Sequence, residues 1–245
     1  EGHYAYANLT LVLYPGDKTH YITIEVVRPS ESDRLKWTDP DPLQEAPPAR
    51  FNDIVQTMQD YLNIAGDLAI KGQFPDKPIH CSGYHCIFGF DHPKLKPFEA
   101  LLRDGARRNV PLIMKVLHDK YSERRVAAIY LVGEWRDNPQ YNINTVLPYV
   151  DDPDSAVRNA AIRVIGGTLF KAKQCHVDVA PFIRLLRSPQ GTDRNKSLFV
   201  LLAEAKKDPA VRKLLRQQAY ASLKELAALK QPNNHDVAVK LIKMI

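Results

Sequence analysis

The residues best suited to chemistry stand in one run, His80-Cys81-Ser82-Gly83-Tyr84-His85-Cys86-Ile87-Phe88-Gly89-Phe90-Asp91-His92-Pro93. Three states are open to its cysteines. A Cys81–Cys86 disulfide would staple the loop and needs an oxidising compartment. Zinc or copper would take Cys81, His85 and Cys86, with His80, His92 or the distant Cys175-His176 completing the set. Alternatively the cysteines are thiols in a packed loop. Four residues separate Cys81 from Cys86 rather than the two of a structural-zinc pair, so a disulfide is expected and no metal. Asp151, Asp152 and Asp154 form a second acidic group, read as turn and cap residues, because carboxylates before a helix accept its first N–H groups. Gly166-Gly167 reads as a close-packing or helix-ending pair. The chain has no Cys-x-x-Cys-His, no phosphate loop, no Gly-x-Gly-x-x-Gly, no His-Glu-x-x-His and no Gly-x-Ser-x-Gly. No catalytic residue, cofactor or metal ligand is therefore assigned.

The elements around this run repeat. Arg125-Val126-Ala127-Ala128-Ile129-Tyr130-Leu131-Val132-Gly133 matches Arg158-Asn159-Ala160-Ala161-Ile162-Arg163-Val164-Ile165-Gly166 almost position for position. A third copy begins at Arg194 and keeps the apolar rhythm through Leu202 without the Ala-Ala pair or the glycine. Such spacing belongs to helical-hairpin repeats, which bury their apolar faces only by stacking. The middle unit predicts a first helix over Val146–Val150, a turn over Asp151–Ser155 and a second helix over Ala156–Leu169. Arg158 lies one turn inside that second helix, within reach of an adjacent turn's carboxylate. Asp208-Pro209 opens a fourth unit, and His235 to Ile245 predicts a last helix with Val237, Leu241 and Ile245 inward. Arg212, Lys213, Arg216, Lys224, Lys240 and Lys243 read as its solvated face.

Val157-Arg158 with Ala160-Ala161 to Gly166, after Asp152-Pro153-Asp154, resembles a HEAT repeat. The resemblance covers residues 109–245 and implies a mainly α fold, an α-α solenoid of armadillo-like type. The Cys/His run is similar to a segment that precedes the repeats in exported bacterial HEAT-repeat proteins, and that resemblance brings no activity with it.

The chain's first fifth has period two instead. Leu9, Leu11 and Leu13, then Ile22, Ile24 and Val26, alternate with polar neighbours around Pro15-Gly16-Asp17-Lys18, which predicts a β-hairpin. A lone hairpin is marginal in water and must dock, either on its own helices or as an arm on another subunit. Pro29 to Pro48 has no apolar period and reads as a strap, with Trp37 as an anchor. A helix over Asn52–Lys71 presents Ile54, Met58, Leu62, Ala65 and Leu68 on one face. The expected organisation is a hairpin arm over 1–28, a strap over 29–50, a capping helix with the Cys/His loop over 51–108, and the repeats over 109–245.

With 245 residues, 44% hydrophobic and 25% charged, the chain can bury a core. No apolar run is long enough to span a membrane. A net charge of +6 without a clustered basic stripe favours acidic protein partners over nucleic acid. The start at Glu1 and the cysteine pair predict an extracytoplasmic site after removal of a signal peptide. Together these features predict a non-catalytic scaffold that binds other protein subunits, or further copies of itself, through Leu9, Leu11, Leu13, Ile22, Ile24, Val26 and Trp37. The alternative is an enzyme of HEAT-like architecture, similar to alkylpurine glycosylases or bilin lyases. Trp135 and Tyr130 beside Arg124 and Arg125 would then supply base stacking.

Overall fold

A computed structural model describes residues 3–13, 19–38, 53–73, 80–135 and 137–245. The chain is mainly helical with one small antiparallel sheet, and it divides into two compact units, Thr38–Val177 and Glu1–Trp37 with Asp178–Ile245. The expected turn at Pro15 to Lys18 and the strap from Asp39 to Pro48 lie outside the described residues.

In the first unit, α1 (Ile54–Ile70) starts at Asp53, whose carboxylate accepts the Gln56 N–H at 2.8 Å. Helix α1 buries Ile54, Val55, Met58, Tyr61, Ala65 and Leu68, while Leu62 is only half-buried. Helices α2 (Phe98–Arg108) and α3 (Val110–Val116) lead to α4 (Ser122–Val132), and both α1 and α2 pack against α4. Helix α5 (Pro139–Val146) continues as a 3₁₀ turn (Leu147–Asp151) before α6 (Ser155–Lys171). The sequence pattern placed that first helix over Val146–Val150. Its regular part comes earlier because Asn138 caps it and Pro139 suits the first helical position.

Helix α4 packs on α6, and Ala127, Ala128, Ala160, Ala161, Ile162 and Ile165 are each at most 1% exposed. Alanine at these positions lets two helix backbones approach closely.

In the second unit, β1 (Tyr6–Leu13) pairs antiparallel with β2 (His20–Val27), setting Leu9 opposite Ile24 and Leu11 opposite Ile22. A 3₁₀ helix over Pro29–Leu35 follows, so the start of the strap has regular structure despite lacking an apolar period. Helices α7 (Ala180–Leu185), α8 (Gly191–Lys207), α9 (Pro209–Gln218), α10 (Tyr220–Ala228) and α11 (Pro232–Met244) complete this unit. Asp208 caps α9 through the Ala210 N–H, and Val237, Leu241 and Ile245 are buried. Lys213, Arg216, Lys224, Lys240 and Lys243 are exposed, while Arg212 turns back to the Ala205 carbonyl at 2.7 Å.

Candidate functional site

The Cys/His run folds as a loop on the ends of α4 and α6. Cys81 and Cys86 are joined in a disulfide with their Cα atoms 5.7 Å apart. The Tyr84 N–H donates to the Gly133 carbonyl at 2.7 Å, satisfying a backbone acceptor at the end of α4. Lys171 Nζ donates to the carbonyls of Cys81 and Gly83. The helix-end glycines make the seat possible. A Cβ on Gly167 would stand 2.6 Å from the Tyr84 carbonyl oxygen, and one on Gly133 would stand 3.4 Å from that of His85. Gly133, the repeat's small residue, and Gly167, one position beyond its counterpart Gly166, are thus close-approach positions.

The His85 ring stacks on Tyr130 at 5.9 Å, and burial pushes the Tyr130 phenol up to about 12 despite the opposing Arg163 charge. Burial likewise raises Tyr61, whose hydroxyl donates to the Gly89 carbonyl at 3.1 Å. The histidines of the run diverge. His80 is exposed 3.9 Å from a Glu99 oxygen, and His92 Nδ1 accepts the Lys94 N–H. Cys175 is a buried thiol, and His176 is exposed. Among the described residues no three His, Cys, Asp or Glu side chains gather as a metal-holding group.

The aromatic and basic residues weighed for base stacking are built into the core. Trp135 is 7% exposed, donates Nε1–H to the Ala106 carbonyl at 3.3 Å and stacks on Tyr141. Tyr130 is 4% exposed, and Arg124 meets Asp119 at 2.6 Å. Arg125 grips Asp152 with Nε at 3.0 Å and Nη2 at 2.9 Å, while its Nη1 donates to the Asp119 carbonyl. Arg125 thus reaches the carboxylate of the following turn. The bonds described for Arg158 go to the carbonyls of Asp152 and Pro153 in its own turn.

The hairpin docks on its own unit through its polar face. The Gln190 amide donates to Tyr6 Oη at 2.7 Å, Gln231 Nε2 meets Thr23, and Arg194 pairs with Glu25. Val27, on the same face, is fully buried. The opposite face holds the residues predicted to bind a partner: Leu9 is 65% exposed, Leu11 55%, Ile22 68%, Ile24 68% and Val26 36%. Leu13 pairs with His20 along the backbone. Trp37 is half-buried beneath the Arg184 guanidinium, 5.3 Å from its ring centre, so its anchor contact is within its own unit.

Sequence reasoning missed two things here. Alternation leaves open which face of the hairpin docks, and Thr23 and its neighbours on the polar face carry the docking. Glu25, an alternating polar residue with no periodic signal of its own, holds a buried arginine 169 positions away. Two grooves accompany these sites. One of about 470 Å³ lies among α1, α4 and Ala156 of α6, lined by Gln59, Leu62, Asn63, Glu123 and Val126. The other, of about 320 Å³, lies in the hairpin's unit beside Arg194. No helix among the described residues is long and apolar enough to cross a membrane. No family model matches the chain, and the searches of curated proteins and of solved structures likewise returned no match.

Proposed function

We propose that the chain is a non-catalytic interaction subunit, a HEAT-like helical solenoid that holds other protein subunits through the apolar face of its N-terminal hairpin. One observation carries this reading. The hairpin spends its polar face on its own helices and leaves Leu9, Leu11, Ile22 and Ile24 between 55% and 68% exposed. Burial of apolar surface is the main drive of docking, so a hairpin held only in cis would turn that face inward. A contiguous apolar patch of a few hundred Å² on one face marks an interaction site. Specific interfaces bury roughly 1,000 Å² or more, so the partner adds contacts beyond these four side chains. Each strand also keeps one edge unpaired among the described residues, which offers main-chain groups to an added strand.

The reading extends to an accessory role in an extracytoplasmic assembly, with an exported redox complex as one client. Leu11→Asp with Ile24→Asp tests it. The double variant should fold with unchanged circular dichroism and lose association with subunits recovered by cross-linking in the native source, or with its own copies in sedimentation. Wild-type assembly by the double variant would refute the hairpin as the docking site and move attention to the groove beside α1.

A further inference from the structure

The apolar face of the hairpin is a small grid. The antiparallel register sets Ala7 opposite Val26, Leu9 opposite Ile24 and Leu11 opposite Ile22, and alternate residues of a strand share a face. The grid therefore has one small row, Ala7 with Val26, followed by two large rows, Leu9 with Ile24 and Leu11 with Ile22. All six residues are exposed, and none is charged or polar. The chain's net charge of +6 is carried elsewhere, so it contributes nothing to what this face selects.

We propose that a second copy of this chain covers the face, the two hairpins stacking grid on grid about a twofold axis perpendicular to their strands. The inference rests on the reading of the hairpin as the docking element and names its partner. An uncharged grid is matched without burying an unpaired charge only by another uncharged surface, and the chain itself supplies one. The sizes also match. This axis reverses the row order, so the small row of one copy meets the Leu11 and Ile22 row of the other, while the middle row meets itself. Large side chains facing small ones interdigitate at the density of a core. An axis parallel to the strands would set Ala7 on Val26 and Leu11 on Ile22, with a void at one end and crowding at the other.

The area agrees. Docking here needs more contact than Leu9, Leu11, Ile22 and Ile24 supply, and a second copy brings the same four again with Ala7 and Val26 beside them. Doubled in this way, the face comes to roughly 1,000 Å², the lower limit for a specific interface. Each polar face stays on its own helices, and the two sheets pack about 10 Å apart. So small a patch gives a reversible dimer, with a dissociation constant on the order of 10–100 μM. No charge lies in the contact, so added salt leaves the dimer no weaker.

Sedimentation equilibrium of the whole chain tests the stack by exchanging row sizes. Ala7→Leu sets a leucine against Leu11 of the other copy, and Leu11→Ala leaves alanine against alanine. Each should weaken dimerisation by about tenfold or more. The double variant, Ala7→Leu with Leu11→Ala, moves the smaller side chain to the other end and should dimerise within about threefold of wild type. Both positions are exposed, so the variants should keep the monomer's fold, which circular dichroism checks. A wild-type chain that stays monomeric to roughly 1 mM overturns the proposal. So do single variants that dimerise as well as wild type, a double variant as weak as the singles, or a dimer that added salt weakens. The wider reading of the hairpin survives each of these results and fails separately, when the Leu11→Asp, Ile24→Asp variant still assembles with subunits of the native source.

Discussion

The two units use the same arginine in different ways. In Thr38–Val177, Arg125 takes its carboxylate from Asp152, 27 residues further on, in the turn before the next helix of the pattern. In the unit that contains the hairpin, Arg194 takes its carboxylate from Glu25, 169 residues away along the chain. Both side chains are buried, Arg125 at 4% and Arg194 at 5% exposure. A charge that deep must be matched, because desolvation costs more than any surface pair returns. The first unit meets that need within the repeat, and the second meets it with an element from the other end of the sequence. An arginine kept at a repeat position therefore predicts a buried cation reliably. It predicts the partner only where the next turn carries an acid.

The comparison breaks most visibly at Asp152. Asp152→Ala leaves Arg125 with its two carbonyl acceptors and without its hydrogen-bonded carboxylate, and also removes the bond from the Asp154 N–H. It should cost about 3–5 kcal/mol, the range for breaking a buried pair from one side. Chemical denaturation measures it, and a loss under 1 kcal/mol would mean that water replaces the carboxylate. Glu25→Ala should cost less, about 1.5–3 kcal/mol, since only one charged hydrogen bond is described there. Its loss should fall on one region: hydrogen exchange should quicken in β2 and the start of α8 while α4 and α6 keep their protection. Uniform acceleration across both units would show that the hairpin is coupled to the whole chain.

These contrasts mark how far the sequence can be read. The pairing of Leu9 with Ile24 and the burial of Ala160 and Ala161 follow from periodicity, because period two and the small-residue motif are local properties. The docked face of the hairpin does not follow. Alternation states that one face is apolar, whereas the choice of the polar face for docking depends on Arg194, Gln190 and Gln231, none of them near in sequence. The seat of the disulfide loop is intermediate. Gly133 and Gly167 are visible as small residues at helix ends, but the loop that needs the space lies far upstream of both.

That loop gives the next effect in size. Replacing Cys81 and Cys86 with serine reopens a short ring, which should cost about 2 kcal/mol. Mass spectrometry without reductant checks the bond, and two alkylatable thiols at these positions would refute it. Because the loop's bonds to Gly133 and Lys171 are independent of the sulfurs, the serine variant should keep its fold and melt at a lower temperature. Hydrogen exchange should quicken from His80 to Phe90 and leave α8 unchanged, which separates this perturbation from that of Glu25→Ala.

The smallest effect concerns helix starts, where the two regions differ in charge. Helix α6 begins at Asp154, whose carboxylate accepts the N–H groups of Ala156 at 2.8 Å and Val157 at 3.3 Å. Burial pushes this carboxyl up, but the Ser122 hydroxyl, those two N–H groups and the Arg125 charge outweigh it, and the net shift is downward. Helix α8 begins at Gln190, which makes no side-chain cap bond; the nearby Ser188 hydroxyl donates instead to Asp193 at 2.7 Å. A carboxyl lowered in the folded state contributes stability that is fully present above its unfolded value, near 3.9, and is lost as pH falls through the folded value. Asp154→Asn keeps an oxygen to cap the helix and removes only the charge, so at neutral pH it should cost at most about 1 kcal/mol. The difference from wild type should shrink as pH falls below about 4, because the wild-type side chain is then neutral as well. Gln190→Ala has no side-chain cap bond to lose; it removes the bond to Tyr6 Oη, so its cost of about 0.5–1.5 kcal/mol should not vary with pH. A difference for Asp154→Asn that stays constant down to pH 2 would mean that shape rather than charge sets the α6 cap, and that the two helix starts are alike after all.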